Sequence, residues 1–236
     1  MLKIVQAVGI QCDAELLKRC KGFKEDFSEN FEITKAFQGK INKVLELEAF
    51  IKILLILIWW REQRYNECLS LVRELLDKIV AANRRSLDNY GAILYFYFFR
   101  IHEKGNNVAA IREYMLESYN RCCVRLDEIG QVTLLNILLR DYLAHNQIEA
   151  AYNLIEKTSF PESKSNNEFC KYLFYTGRVK AVRRDYPDAL NRLNQAIRKS
   201  PDSAKGFKIQ CQKIAIVVEL LTGEIPNREI FSDELI

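Results

Sequence analysis

Residues Tyr172 to Pro201 read YLFYTGRVKAVRRDYPDALNRLNQAIRKSP, and the fold turns on this stretch. From Tyr186 onward the apolar residues Tyr186, Ala189, Leu193 and Ala196 fall at helical spacing, and the opposite face is polar or charged. Asp185, a turn-type residue, stands just ahead of that helix. Gly177 lies in the preceding helical segment, where the missing side chain lets two helices of one unit approach. The small residues Ala189 and Ala196 let the next helix pack close in turn. Two helices joined by a short turn make one unit.

The contact positions of this unit recur upstream. Tyr186, Ala189 and Leu193 are matched by Ile148, Ala151 and Ile155, by Val108, Ile111 and Met115, and by Tyr65, Cys68 and Val72. The first members are 43, 40 and 38 residues apart, a period of two helices plus turns. Turn-type residues precede each set: Arg64, Gly105-Asn106-Asn107, Asn146-Gln147 and Asp185. Each amphipathic helix also follows a more deeply apolar one, as in Val44 to Trp60 and Asp88 to Ile101. Four such units predict an all-α protein, an α-solenoid of helix-turn-helix repeats; a compact helical bundle is the competing architecture. The fourth unit fits the tetratricopeptide pattern at Leu173, Gly177, Ala189, Leu193, Ala196 and Pro201 and departs from it at Thr176 and Lys180. The other units are longer than the 34-residue tetratricopeptide period and match only at helix contacts.

Composition agrees. Only 9 Gly and 4 Pro occur in 236 residues, too few turn residues for an all-β sandwich or barrel. The seven cysteines, at 12, 20, 68, 122, 123, 170 and 211, show no CxxC pair or framework spacing, and read as reduced thiols, mostly small core residues. The apolar run Ile53 to Trp60 is far shorter than a membrane span, and the opening MLKIVQAVGIQ lacks the features of a signal peptide. FPESKSNNE, residues 160–168, reads as an inter-repeat loop, with Asn166 or Asn167 as cap of the next helix. The sequence divides softly near 40, into an N-terminal helical segment over 1–40 whose mixed charges and weaker period do not define its packing, and a tetratricopeptide-like helical-repeat arm over 41–236.

Catalytic chemistry has little to stand on. His102 and His145 each fall near a helix end, consistent with a surface role or a favourable charge at the C-terminus. No zinc-ligand spacing and no phosphate-binding glycine motif is present, so no enzyme, cofactor or metal is expected. Charge says more. Between Cys170 and Lys213 stand 11 Lys or Arg and three Asp, a net of +8, which leaves −4 for the rest of a chain whose total is +4. Three readings compete for this basic region: a solvated face, a docking surface for an acidic protein segment, or a nucleic-acid surface. The last is disfavoured because Tyr172, Phe174 and Tyr175 read as core residues rather than stacking platforms.

NRRSLD (Asn83 to Asp88), GQVTLLNILLRDYL (Gly130 to Leu143), FPES, NNEFCKYLFYTGRVKAV (Asn166 to Val182), and GFK followed by IVVELLTGEIPNREIF (Ile216 to Phe231) closely resemble the non-ATPase subunit 3 family of the proteasome regulatory-particle lid. The similarity runs from about Glu48 to Phe231. The resemblance implies a noncatalytic scaffold in ubiquitin-dependent protein degradation, in cytoplasm and nucleus, built as a helical-repeat arm followed by a PCI domain with a winged helix. The sequence stops at Ile236, so the expectation is an arm without its C-terminal PCI domain. Implied partners are other lid subunits, among them a small, acidic, disordered one, with no membrane and no small-molecule substrate. The candidate residues for that partner are Arg178, Arg183, Arg184, Arg192 and Arg198. A repeat scaffold of another PCI-type complex, linked to RNA, is the alternative.

Overall fold

The computed structural model describes residues 45–105, 107–161, 165–226 and 231. Among them nine α-helices follow one another with no strand: α1 (Leu45–Arg61), α2 (Tyr65–Ala82), α3 (Asp88–Lys104), α4 (Arg112–Arg125), α5 (Glu128–Ala144), α6 (Ile148–Lys157), α7 (Asn166–Val182), α8 (Tyr186–Lys199) and α9 (Lys205–Thr222). This is the all-α fold of tetratricopeptide-like helix pairs that the sequence predicts. Residues 1–40 lie outside the described residues. Two compact units part inside α3, between Leu94 and Tyr95.

In the first unit α1 and α2 form an antiparallel hairpin. Ala49, Ile53, Ile56 and Trp59 of α1 are buried, as are Cys68, Leu71, Val72, Leu75 and Leu76 of α2. Lys52, which the sequence places at the polar edge of the apolar run, is only 2% exposed. Its ammonium lies 2.7 Å from Glu48 and 2.8 Å from Glu74, and Lys78 reaches the same two carboxylates at 3.0 Å each. A buried ammonium is tolerated because it is paired on both sides.

In the second unit the hairpins α4–α5, α5–α6 and α7–α8 stack in sequence, with α9 packed on α8. The first helices of successive pairs, α5 and α7, run side by side and parallel: Asn136 of α5 donates to the Glu168 carbonyl of α7 at 3.0 Å, and Arg140 lies close to Tyr175 further along. Between α7 and α8 the small-residue pattern does what the sequence assigns to it. A Cβ on Gly177 would lie 2.9 Å from Leu193 Cγ and 3.4 Å from the Ala189 carbonyl. Ala189 and Leu193 then meet Ala215 and Val218 of α9, and Ala196 meets Cys211. Thr176, off-pattern and fully buried, turns its hydroxyl back to the Tyr172 and Leu173 carbonyls at 2.9 and 3.0 Å. Ser165, not Asn166 or Asn167, takes the N-cap position of α7. Asn166 instead donates to the Lys199 carbonyl at 2.6 Å and closes the far end of α8.

One backbone turn is used four times. Gln63, Leu126, Asn146 and Arg184 all have positive φ, between 55° and 69°. The amide of each following residue donates five residues back: Arg64 to Trp59, Asp127 to Cys122, Gln147 to Tyr142 and Asp185 to Lys180, at 2.8 to 3.0 Å. This is a Schellman-type cap, which satisfies the last carbonyls of the preceding helix and usually employs glycine. The sequence hides the turn because none of the four residues is glycine. Leu126 takes up this conformation with a side chain that is 74% exposed and so gains little burial in return. Leu126→Gly is therefore expected to raise stability by about 0.5 to 1 kcal/mol, measurable in urea unfolding; a loss of stability would mean that the leucine contacts outweigh the backbone strain.

Candidate docking surface

The basic residues of α7 and α8 are held by the geometry just described, and they do not form one cluster. Arg178 lies on α7 with its guanidinium 5.7 Å from the Phe174 ring centroid. Arg183, at the end of α7, stacks over Tyr152 of α6 at 3.6 Å and pairs with Glu149 at 3.3 Å. Arg184 sits at the positive-φ corner of the turn and is exposed. Arg192 pairs with Asp188 at 3.3 Å, and Lys180 pairs with both Asp188 and Asp185. Arg198 is exposed near the other end of α8, about 20 Å from Arg184 at 1.5 Å per residue.

Of these partners only Glu149 comes from outside the Cys170–Lys213 window; Asp185 and Asp188 are already counted in the net of +8. Lys171 and Lys208 are also paired, with Glu168 at 2.6 Å and Asp202 at 2.5 Å. Lys180 and Arg192 hold the Asp188 carboxyl below its usual range, Lys180 having the larger effect. Arg178, Arg184 and Arg198 have no ion pair among the described residues. Lys199, Lys205 and Lys213 of the same window likewise have no ion pair among the described residues, so these three arginines are the free members of the candidate set rather than the only free cations.

A second set of arginines escapes the charge count because it lies outside that window. On α3, Arg100 reaches Glu103 at 2.7 Å. Glu103 also accepts from Arg140 of α5, from Nε at 3.0 Å and Nη2 at 2.9 Å. The half-buried Tyr175 of α7 lies close enough to Arg140 for its phenol to favour the Arg140 charge. Burial works against the Arg140 charge, but Glu103 and Tyr175 more than offset it, so its pKa is raised. Tyr175 thus belongs to a polar row and not to the core where the sequence reading put it. Tyr172 is a core residue as expected, stacked on Phe160 at 4.3 Å. The signal that could have found the row is the repeat register itself: each arginine stands 11 residues before a contact residue, Arg100 before Ile111, Arg140 before Ala151 and Arg178 before Ala189.

The remaining polar groups play structural parts. His102 is not at the surface: it is 7% exposed, its Nδ1 lies 2.8 Å from the Phe98 carbonyl and its ring packs on Phe98. Asp127 caps α5, its carboxylate accepting from the Gly130 amide at 3.0 Å. A Cβ at Gly130 would collide with that carboxylate and lie 2.8 Å from Cys122 Sγ, so this glycine, overlooked in the repeat pattern, is needed for the cap. Cys68, Cys122, Cys170 and Cys211 are buried free thiols, Cys123 is a half-buried one, and Cys12 and Cys20 lie outside the described residues. Burial pushes the Cys68 thiol up to about 11 and those of Cys122 and Cys211 up to about 12, so they stay protonated at neutral pH. What the surface offers is fixed cations at repeat intervals, a means of binding anions rather than of moving protons.

The sequence matches the family described as "PSMD3-like, N-terminal TPR repeats" over residues 7–236. It is 38% identical over 224 residues to a probable 26S proteasome non-ATPase regulatory subunit 3 of Nicotiana tabacum, covering 92% of this chain and 46% of that protein. A homolog B of the same subunit from Arabidopsis thaliana is 40% identical over 189 residues, 80% of this chain and 39% of the relative. The Drosophila melanogaster protein, also named as a probable subunit 3, is 38% identical over 209 residues, 88% and 42% respectively. The chain spans less than half the length of these relatives. The helix pairs, their small-residue contacts and these matches agree, and the chain belongs to the PSMD3-like family of N-terminal tetratricopeptide repeats, the family of 26S proteasome non-ATPase regulatory subunit 3.

Proposed function

We propose that this chain is a noncatalytic structural arm of the proteasome regulatory-particle lid, acting in ubiquitin-dependent degradation, in cytoplasm and nucleus, by holding neighbouring subunits through protein contacts. The observation that carries the reading is the family match over residues 7–236, supported by a helical-repeat fold whose free polar groups suit binding. Within that role the basic face of α7 and α8, comprising Arg178, Arg183, Arg184, Arg192 and Arg198, docks a small acidic, disordered subunit. The exposed charges of Arg184 and Arg198 favour this, while Arg183 and Arg192 would have to share their present carboxylate partners.

Exposed charge attraction is screened over about 8 to 10 Å at physiological salt. The acidic partner should therefore bind more weakly as salt rises, mainly through slower association. Arg183→Glu combined with Arg184→Glu should weaken it further without unfolding the chain. Affinity purification of the tagged chain is the broader test: recovery of lid subunits supports the scaffold reading, and recovery of RNA without them refutes it. Equal binding of the acidic partner at high salt and to the double variant would show this face to be solvated surface only.

A further inference from the structure

Two arginines stand directly ahead of a serine where α2 passes into α3, in the stretch Asn83-Arg84-Arg85-Ser86. All four residues are exposed. Asn83 ends α2 in the left-handed conformation, at φ 47°, and Arg84 is extended, so the chain leaves the helix and runs along the surface. Ser86 lies in a single 3-10 turn, Arg85–Leu87. That turn is held by the Leu87 amide donating to the Arg84 carbonyl at 3.1 Å and the Asp88 amide donating to the Arg85 carbonyl. An enzyme cleft that takes up extended backbone has only this turn to open.

Ser86 also fastens two parts of the first unit together. Its hydroxyl donates to Glu46 Oε1, in the first turn of α1, at 2.6 Å and across 40 residues of sequence. Arg84 approaches the same oxygen at 3.5 Å. The Ser86 hydrogen bond is the largest influence holding the Glu46 carboxyl below its usual range, and Arg84 adds to it. A phosphate on the serine oxygen would reverse the sign of this contact. It brings about −1.5 to −2 charges at pH 7 and strong acceptor oxygens, so an ionised carboxylate at hydrogen-bond distance repels it. Arg84 is 55% exposed, and the exposed Arg85 has no ion pair among the described residues. Both guanidinium groups are therefore at hand to take the phosphate through charge-assisted hydrogen bonds.

We propose that Ser86 is a phosphorylation site for an arginine-directed protein kinase, and that its phosphate releases the start of α1 from the junction between α2 and α3. The Ser86 oxygen attacks the γ-phosphorus of ATP, the bond from that phosphorus to the β–γ bridging oxygen breaks, and ADP leaves. The hydroxyl proton passes to the base of the kinase and on to solvent. Arg84 then turns from Glu46 to the phosphate. Glu46 and Ser86 both belong to the first compact unit, and the proposal depends neither on the scaffold reading nor on the basic face of α7 and α8. Ser200 also follows two basic residues, Arg198 and Lys199. It is 6% exposed and its hydroxyl is turned to the Ile197 carbonyl at 2.8 Å, so the fold closes it to a kinase.

The test treats the full chain with ATP and the catalytic subunit of cyclic-AMP-dependent kinase, an arginine-directed enzyme, and locates the phosphate by tandem mass spectrometry. Phosphate is expected on Ser86 and not on Ser200, and Arg84→Ala should slow the reaction about tenfold, the loss of one charge-assisted contact to the enzyme. Hydrogen exchange over the first turns of α1 should become several-fold faster in the phosphorylated chain, with α7 and α8 unchanged. Ser86→Ala, which loses the hydrogen bond but adds no charge, should loosen α1 less than the phosphate does. Glu46→Gln should accept the phosphate without the further loosening, because its neutral amide does not repel it. A folded chain that takes no phosphate on Ser86, or takes it equally on Ser200, would overturn the assignment of the site. Phosphate on Ser86 with unchanged exchange in α1, or the same loosening in Glu46→Gln, would overturn the release of α1.

Discussion

Arg112→Ala is expected to destabilise the second unit by about 3 to 5 kcal/mol, the loss seen when one member of a buried ion pair is removed. Asp141, in the last turn of α5, is 2% exposed, and Arg112, the first residue of α4, donates to it from Nε at 2.6 Å. The guanidinium also covers the Tyr142 ring at 5.4 Å. The second carboxylate oxygen has no compensating hydrogen bond, because the Nδ1 atom of His145, although 2.9 Å away, is engaged by the Asp141 carbonyl at 3.0 Å. Alanine at 112 would leave the buried Asp141 carboxylate without its guanidinium partner, His145 Nδ1 at 2.9 Å being the one other basic group beside it among the described residues. Urea unfolding of the variant measures the effect, and the double change Arg112→Met with Asp141→Leu should recover most of the loss, since it removes both charges. A loss below about 1 kcal/mol for Arg112→Ala would mean that water reaches Asp141 and the pair is a surface one.

Gly177→Leu is expected to cost about 1 to 3 kcal/mol through overpacking. The new Cβ alone would stand 2.9 Å from Leu193 Cγ and 3.1 Å from Cδ2. Leu193 cannot swing aside freely: it is fully buried between Ala189 and the α9 residues Ala215 and Val218. Gly177→Ala should lower the melting temperature by less, because it brings only the first carbon of the clash. An unchanged melting temperature for the leucine variant would show that α7 and α8 meet in another register.

These two sites differ in how far the sequence revealed them. Gly177 was legible because its evidence is local: a glycine among residues at helical spacing, followed at fixed offsets by Ala189, Leu193 and Ala196. Arg112 and Asp141 carried no such mark, being 29 residues apart. The turns at Gln63, Asn146 and Arg184 were legible from their neighbours and the one at Leu126 was not, and the conformation was legible at none of the four, since they adopt positive φ without the glycine that normally signals it. His102 was misplaced for a related reason. Its position near a helix end was right, but whether a neighbouring helix covers that end is not a property of the helix itself.

The amino-acid sequence by itself determined the helices, their pairing into units and the close contact at Gly177, because helical periodicity is a matter of residues three and four apart. It also contained the 11-residue offset of Arg100, Arg140 and Arg178. Only the tertiary structure decided which charges are spent. Lys52 meets Glu74 at a separation of 22 residues, Arg183 meets Glu149 at 34 and Arg140 meets Glu103 at 37. The first pair forms when α1 and α2 close into a hairpin and the other two when one helix pair stacks on the next, so a charge's availability to a partner depends on packing rather than on its neighbours along the chain.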